Sequence, residues 1–154
     1  NLMSLFADKI SIQALVAKEP LALPIIRDTA VKAGFPSPAL DYMQDAIDLN
    51  QLLIKHPSST FLVTIEGDSM IDAFIANPAL LIIDRALQVC NGDIVLAVVN
   101  GDFTVKRYVR KADKVFLVPE NKQNPKYQAM EIVDGMEFSV WGVVAHIISS
   151  PRKR

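Results

Sequence analysis

Asp93-Ile94-Val95-Leu96-Ala97-Val98-Val99-Asn100-Gly101-Asp102-Phe103-Thr104-Val105-Lys106-Arg107-Tyr108-Val109 holds two β-prone runs on either side of an Asn-Gly dipeptide. Asn-Gly between apolar runs is the strongest short-range hairpin signal, because both residues accept the positive φ of a type I′ turn. A two-residue loop there sets Val99 opposite Asp102, Val98 opposite Phe103 and Val95 opposite Lys106. Lys106 then shares a face with Thr104, Ala97 and Val95, while Phe103, Val105, Leu96 and Ile94 line the other face. Both faces are largely apolar, so the hairpin reads as well buried, with a lysine inside it.

The same kind of pattern extends outward. Phe61 to Glu66, Leu80 to Asp84, Lys114 to Val118 and Phe138 to Ser149 also read as strands, and Asn91-Gly92 is a second hairpin-type dipeptide. Before these runs the character changes. Ser4 to Ala17 reads as a short helix, and Pro20 to Pro38 as an extended or turn-rich arm. Ile47, Leu49, Leu52 and Leu53 suggest a brief helix over Asp45 to His56, stopped by Pro57. The expected organisation is an arm or linker over residues 1–40, then a mainly β domain over residues 41–154. Because the chain opens on Asn1, a further segment upstream is also expected.

Composition narrows the function. A chain of 154 residues is one ordinary domain, and 51% hydrophobic against 21% charged residues excludes wholesale disorder. A net charge of −1 does not suit binding nucleic acid by charge alone. Apolar stretches such as Ile94 to Val99 are far shorter than the roughly 20 residues of a membrane span, and no secretory signal opens the chain. The single cysteine, Cys90, excludes an intrachain disulfide and fits a cytoplasmic setting. No His, Cys or carboxylate spacing suggests a metal site, and no cofactor motif is present.

Two residues stand out. Ser69 follows the Phe61–Glu66 strand in Gly67-Asp68-Ser69-Met70, and Ser69-Met70-Ile71-Asp72 matches a capping box. The other reading of Ser69 is a nucleophile presented where the backbone N–H groups of Ser69 and Met70 can hold an oxyanion. Lys106 is either a side chain that snorkels to solvent or a desolvated lysine with a depressed pKa, able to act as a general base. Serine–lysine pairs are a known variant of nucleophile activation. His56, before a proline, and His146, in an apolar strand, read as structural.

Taken in order, Ala33-Gly34-Phe35-Pro36-Ser37-Pro38, Ile47-Asp48-Leu49-Asn50, His56-Pro57-Ser58, Gly67-Asp68-Ser69-Met70, Gly92-Asp93-Ile94-Val95, Phe103-Thr104-Val105-Lys106 and Gly142-Val143-Val144 resemble the LexA/UmuD family. These are self-cleaving serine peptidases of the bacterial DNA-damage (SOS) response, and the Gly-Phe-Pro-Ser-Pro-Ala and Ile-Asp-Leu-Asn-Gln-Leu-Leu-Ile runs are closer to UmuD. The resemblance implies that Ser69 is the nucleophile, Lys106 the neutral general base and Ala33–Gly34 the scissile bond. It also implies a compact, mostly antiparallel β fold, a homodimer and stimulation by a RecA filament on single-stranded DNA. Where relatives usually have Gly-Asp before an apolar strand, this chain has Pro78-Ala79.

Two biological roles fit this chemistry. One is the C-terminal domain of a repressor that binds DNA through a missing upstream domain. The other is an accessory subunit of a translesion DNA polymerase. The residues after Ala33 favour the polymerase subunit and those before it the repressor; the repressor is the expected role, and the polymerase subunit is the alternative. Phe138 to Ser149, apolar on both faces, is either a central strand or an edge strand contributing to the dimer interface.

Overall fold

The computed structural model describes residues 8–14, 22–26 and 43–152. In chain order the strands are β1 (Lys9–Ala14), β2 (Ala22–Ile26), β3 (Met43–Asp48), β4 (Thr60–Glu66), β5 (Ala79–Asp84), β6 (Ile94–Val99), β7 (Asp102–Lys111), β8 (Lys114–Val118), β9 (Met130–Ile132) and β10 (Phe138–Ile148). One helix, α1 (Leu49–Leu53), and two 3-10 turns, Pro57–Ser59 and Ile71–Ala73, complete the described elements. The chain divides into a unit of residues 16–55, holding the β2–β3 pair and α1, and a unit of residues 1–15 with 56–154.

In the larger unit the strands form one sheet in the order β1-β4-β5-β10-β6-β7-β8-β9, and every neighbouring pair is antiparallel. The β6–β7 hairpin has the register expected from its loop. Val99 pairs with Asp102 and Val95 with Lys106, and Asn100 and Gly101 both have positive φ, 50° and 86°. Val63, Leu81, Ile83, Leu96 and Val105 are fully buried in one core cluster, and Val95, Ala97, Val99 and Leu117 in a second. Burial on both faces explains why β5 and β6 read as continuous apolar runs rather than as alternations.

Several expectations change. Within Ser4 to Ala17, Lys9–Ala14 is a strand and not a helix. Its period is two: Ile10 and Ile12 pack on the core while Lys9, Ser11 and Gln13 are exposed, and β4 supplies the backbone partners. The helix expected over Asp45 to His56 is confined to Leu49–Leu53, because Asp48 ends β3 and caps it, its carboxylate accepting from the Asn50 N–H at 2.9 Å. Asn91-Gly92 is a turn but not a hairpin loop, since β5 pairs with β4 and β10 and not with β6.

The terminal strand β10 is not a lone edge. Phe138–Val143 pair with β6 and Val143–Ile148 with β5, so its backbone has a neighbour along its length. Its apolar side chains serve the fold: Val143 is buried, and Trp141 meets Phe61 and Phe103 edge-on, with the Arg85 guanidinium 4.3 Å over its ring. Gly142 sits where the two pairings meet, and a Cβ there would run into the Ile83 side chain.

Candidate active site

Ser69 lies in the turn between β4 and the Ile71–Ala73 3-10 turn, and that turn is held from several sides. Gly67 has φ 129°, a conformation that side chains resist, and its N–H donates to Asn77 Oδ1 at 2.9 Å. The Asp68 carboxylate accepts from the Tyr127 hydroxyl at 2.6 Å, and its backbone carbonyl accepts from Asn121 Nδ2 at 2.9 Å. The Ser69 carbonyl accepts from the Glu120 N–H at 2.8 Å, and the Asp72 N–H donates to the Glu120 carbonyl at 2.8 Å. Burial and the bond to Asp68 push the Tyr127 hydroxyl pKa up, which keeps it a donor.

The capping-box reading of Ser69 fails. The residue preceding the short turn is Met70, no side chain caps it, and Asp72 accepts from the Lys122 N–H instead. Three residues of 3-10 turn leave few orphan N–H groups for a cap to satisfy, so the Ser69 hydroxyl is directed elsewhere.

It meets Lys106. The β6–β7 register places this side chain in the sheet interior, fully buried, with Nζ donating to Ser69 Oγ at 3.1 Å. The same Nζ donates to Thr104 Oγ1 and to the Val105 carbonyl, each at 3.0 Å. The snorkelling alternative is therefore excluded. Burial pushes the Lys106 pKa down from 10.5 to about 8, with the Asp8 carboxylate opposing the fall. Arg107, next along β7, makes a bidentate pair with Glu120 at 3.0 and 2.9 Å, which ties the lysine's strand to the segment clamping Ser69.

Sequence reasoning missed Asp8. Its carboxylate is hydrogen-bonded to the Ser69 hydroxyl, lies 3.5 Å from Lys106 Nζ and is almost wholly buried. Its other oxygen is 3.5 Å from the Ser69 N–H, one of the two expected oxyanion donors. Asp8 stands 61 residues from Ser69, and no local pattern marks it. The alternation of β1 marks a strand, but not the edge it pairs with.

The histidines do not join this group. His56 Nδ1 bonds Asp84 Oδ2 at 2.6 Å, and His146 lies within β10. Ala33 and Gly34 lie outside the described residues. Among the described residues no cluster of His, Cys, Asp or Glu could hold a metal ion, and no helix is long and apolar enough to cross a membrane. A buried serine beside a lysine of lowered pKa can carry out nucleophilic attack with the amine accepting the hydroxyl proton, but only while that amine is neutral.

Residues 24–145 match the family described as Peptidase S24-like. The chain is 37% identical to Protein MucA of Salmonella typhimurium over 116 residues, 75% of this chain and 77% of MucA. It is 37% identical to Protein ImpA of Escherichia coli over 130 residues, 84% of this chain and 86% of ImpA. It is also 34% identical to the LexA repressor of Clostridium kluyveri over 108 residues, 70% of this chain and 52% of that repressor.

Proposed function

We propose that this chain, which belongs to the peptidase S24 family, cleaves its own Ala33–Gly34 bond with Ser69 as nucleophile and Lys106 as general base. The reading rests on one observation above all: a fully buried lysine of pKa about 8 with its Nζ 3.1 Å from the serine hydroxyl. Neutral Lys106 takes the Oγ proton as Ser69 attacks the Ala33 carbonyl carbon. The Ser69 and Met70 N–H groups stabilise the oxyanion. Collapse breaks the C–N bond, the Lys106 ammonium returns its proton to the Gly34 amine, and water then hydrolyses the Ala33 ester. Gly34 removes a side chain from the leaving group, and Ala33 suits a tight pocket.

Self-cleavage of this kind switches a regulator of the bacterial DNA-damage response. The cleavable form is stabilised by a RecA filament on single-stranded DNA, and the chain acts as a homodimer. Of the two roles, the polymerase accessory subunit is the better supported. Identity is 37% to MucA and to ImpA and 34% to the LexA repressor. The residues before Ala33, which favour a repressor from the sequence, carry less weight than that.

The test is intact-mass analysis after incubation with activated RecA filament. The expected product begins Gly34-Phe35, and both Ser69→Ala and Lys106→Ala abolish it while the fold is kept. A product with a different N-terminus, or none, overturns the assignment.

A further inference from the structure

The outer edge of β4 is not open. Strand β1 covers it, with Lys9 opposite Glu66 and Ala14 opposite Phe61. The antiparallel direction brings the residue before β1 to the Gly67-Asp68-Ser69 turn, and that residue is Asp8. The glycine at position 67 makes room for it: a Cβ there would collide with the Asp8 carboxylate and crowd its backbone. The carboxylate then touches three groups that a scissile carbonyl needs, namely the Ser69 hydroxyl, Lys106 Nζ and the Ser69 N–H.

We propose that Asp8 is an autoinhibitory lock, a carboxylate that β1 seats in the place of the reacting carbonyl, so that self-cleavage requires the head of β1 to leave. The inference rests on the serine–lysine reading above. Occupancy is the first means of inhibition, since no peptide carbonyl can approach Ser69 Oγ while the carboxylate is hydrogen-bonded to it. Proton placement is the second. The Ser69 hydroxyl proton is directed to Asp8 instead of Lys106, and the negative charge favours the ammonium form of Lys106, which cannot act as a base. Among the described residues the other titratable groups around this turn are Asp68 and Tyr127, bonded to each other; Asp72, which accepts from the Lys122 N–H; Glu120, paired with Arg107; and Lys9 and Glu66, opposite each other on β1 and β4. Pairing of β1 with β4 is thus what delivers the lock.

The experiment compares the full chain with Asp8→Asn, which keeps the shape without the charge, and Asp8→Ala, which empties the site. Spontaneous cleavage is followed by intact mass from pH 6 to 10 without activator, and labelling of Ser69 by a fluorophosphonate is followed at pH 7. Both variants are expected to label faster and cleave faster, with the midpoint of the pH–rate profile moved down. Cleavage at pH 7 is expected to speed up severalfold, as loss of the carboxylate raises the neutral fraction of Lys106. Unchanged labelling, cleavage and midpoint in both variants overturn the lock. So does slower cleavage, which would make Asp8 part of the catalytic machinery. Faster labelling with no cut at Ala33–Gly34 in any protein sustains the lock and overturns the assigned bond, so the two failures are distinguishable.

Discussion

Replacing Lys106 with methionine removes a buried amine and keeps an unbranched side chain of similar length, so it isolates the free energy of holding a lysine in this interior. Lys106 is fully buried, and its pKa falls from 10.5 to about 8 because burial penalises the charged form. Between those values the unfolded chain binds a proton that the folded chain does not, so stability rises with pH across the window. Above 10.5 the penalty is absent; below 8 it is fully present, about 3 kcal/mol at 1.36 kcal/mol per unit. Between pH 7 and pH 10 the parent should therefore gain roughly 2–3 kcal/mol relative to Lys106→Met. The comparison is made in a Ser69→Ala background, so that self-cleavage does not remove either protein. Groups common to both chains largely cancel in the difference. Urea unfolding at each pH, followed by the fluorescence of the single tryptophan, Trp141, reads the two stabilities. A difference that stays flat from pH 7 to 10 would show that Lys106 keeps an ordinary pKa, and the base assigned to Ser69 would lose its physical basis.

The spontaneous cleavage rate of the parent should rise about tenfold between pH 7 and 9 and then level off, as the neutral fraction of a group near pKa 8 does. A rate still climbing steeply above pH 9 would contradict it. Tyr127→Phe strips the Asp68 carboxylate of its 2.6 Å hydroxyl donor and should destabilise the fold by about 1.5–3 kcal/mol and slow cleavage, measured by denaturation and intact mass. Gly142→Ala forces a methyl group into Ile83 and should cost about 1–3 kcal/mol, read as a lowered urea midpoint with an unchanged slope. Sedimentation of the intact chain and of residues 34–154 should give dimers for both; a monomeric product at micromolar concentration would assign the pairing to the arm.

Much of the sheet is legible in the residues themselves. Asn100-Gly101 determines a two-residue loop, and a two-residue loop allows a single register, so the pairing of Val95 with Lys106 follows from local chemistry. Strands β4 to β8 and β10 appear as apolar or alternating runs bounded by turns, within one or two residues of their observed ends. The three-residue β9 is too short to make a pattern, and the alternation of β1 covers only six residues within Ser4 to Ala17, which read as a short helix. Ser69 and Lys106 each stood out, because a lysine in an apolar hairpin and a serine after a strand-ending Gly-Asp are locally unusual.

Contacts between segments distant in the chain are of another kind. That β10 bridges β5 and β6 depends on which strand edges remain free once the hairpins have formed, and no residue of β10 encodes that alone. Whether Ser69 caps a turn or faces Lys106 is settled by the shortness of the turn and by the Glu120 and Tyr127 segment closing over it. Asp8 is the extreme case: a carboxylate with no neighbouring signal reaches the site because β1 pairs with β4 across 61 residues of chain. Sequence alone determined strands β4 to β8 and β10, the hairpin register and the two candidate side chains, since these follow from periodicity and turn chemistry over a few residues. Only the tertiary structure decided which groups surround the amine and so set its charge, because desolvation and Coulomb energy depend on distance in space and not along the chain.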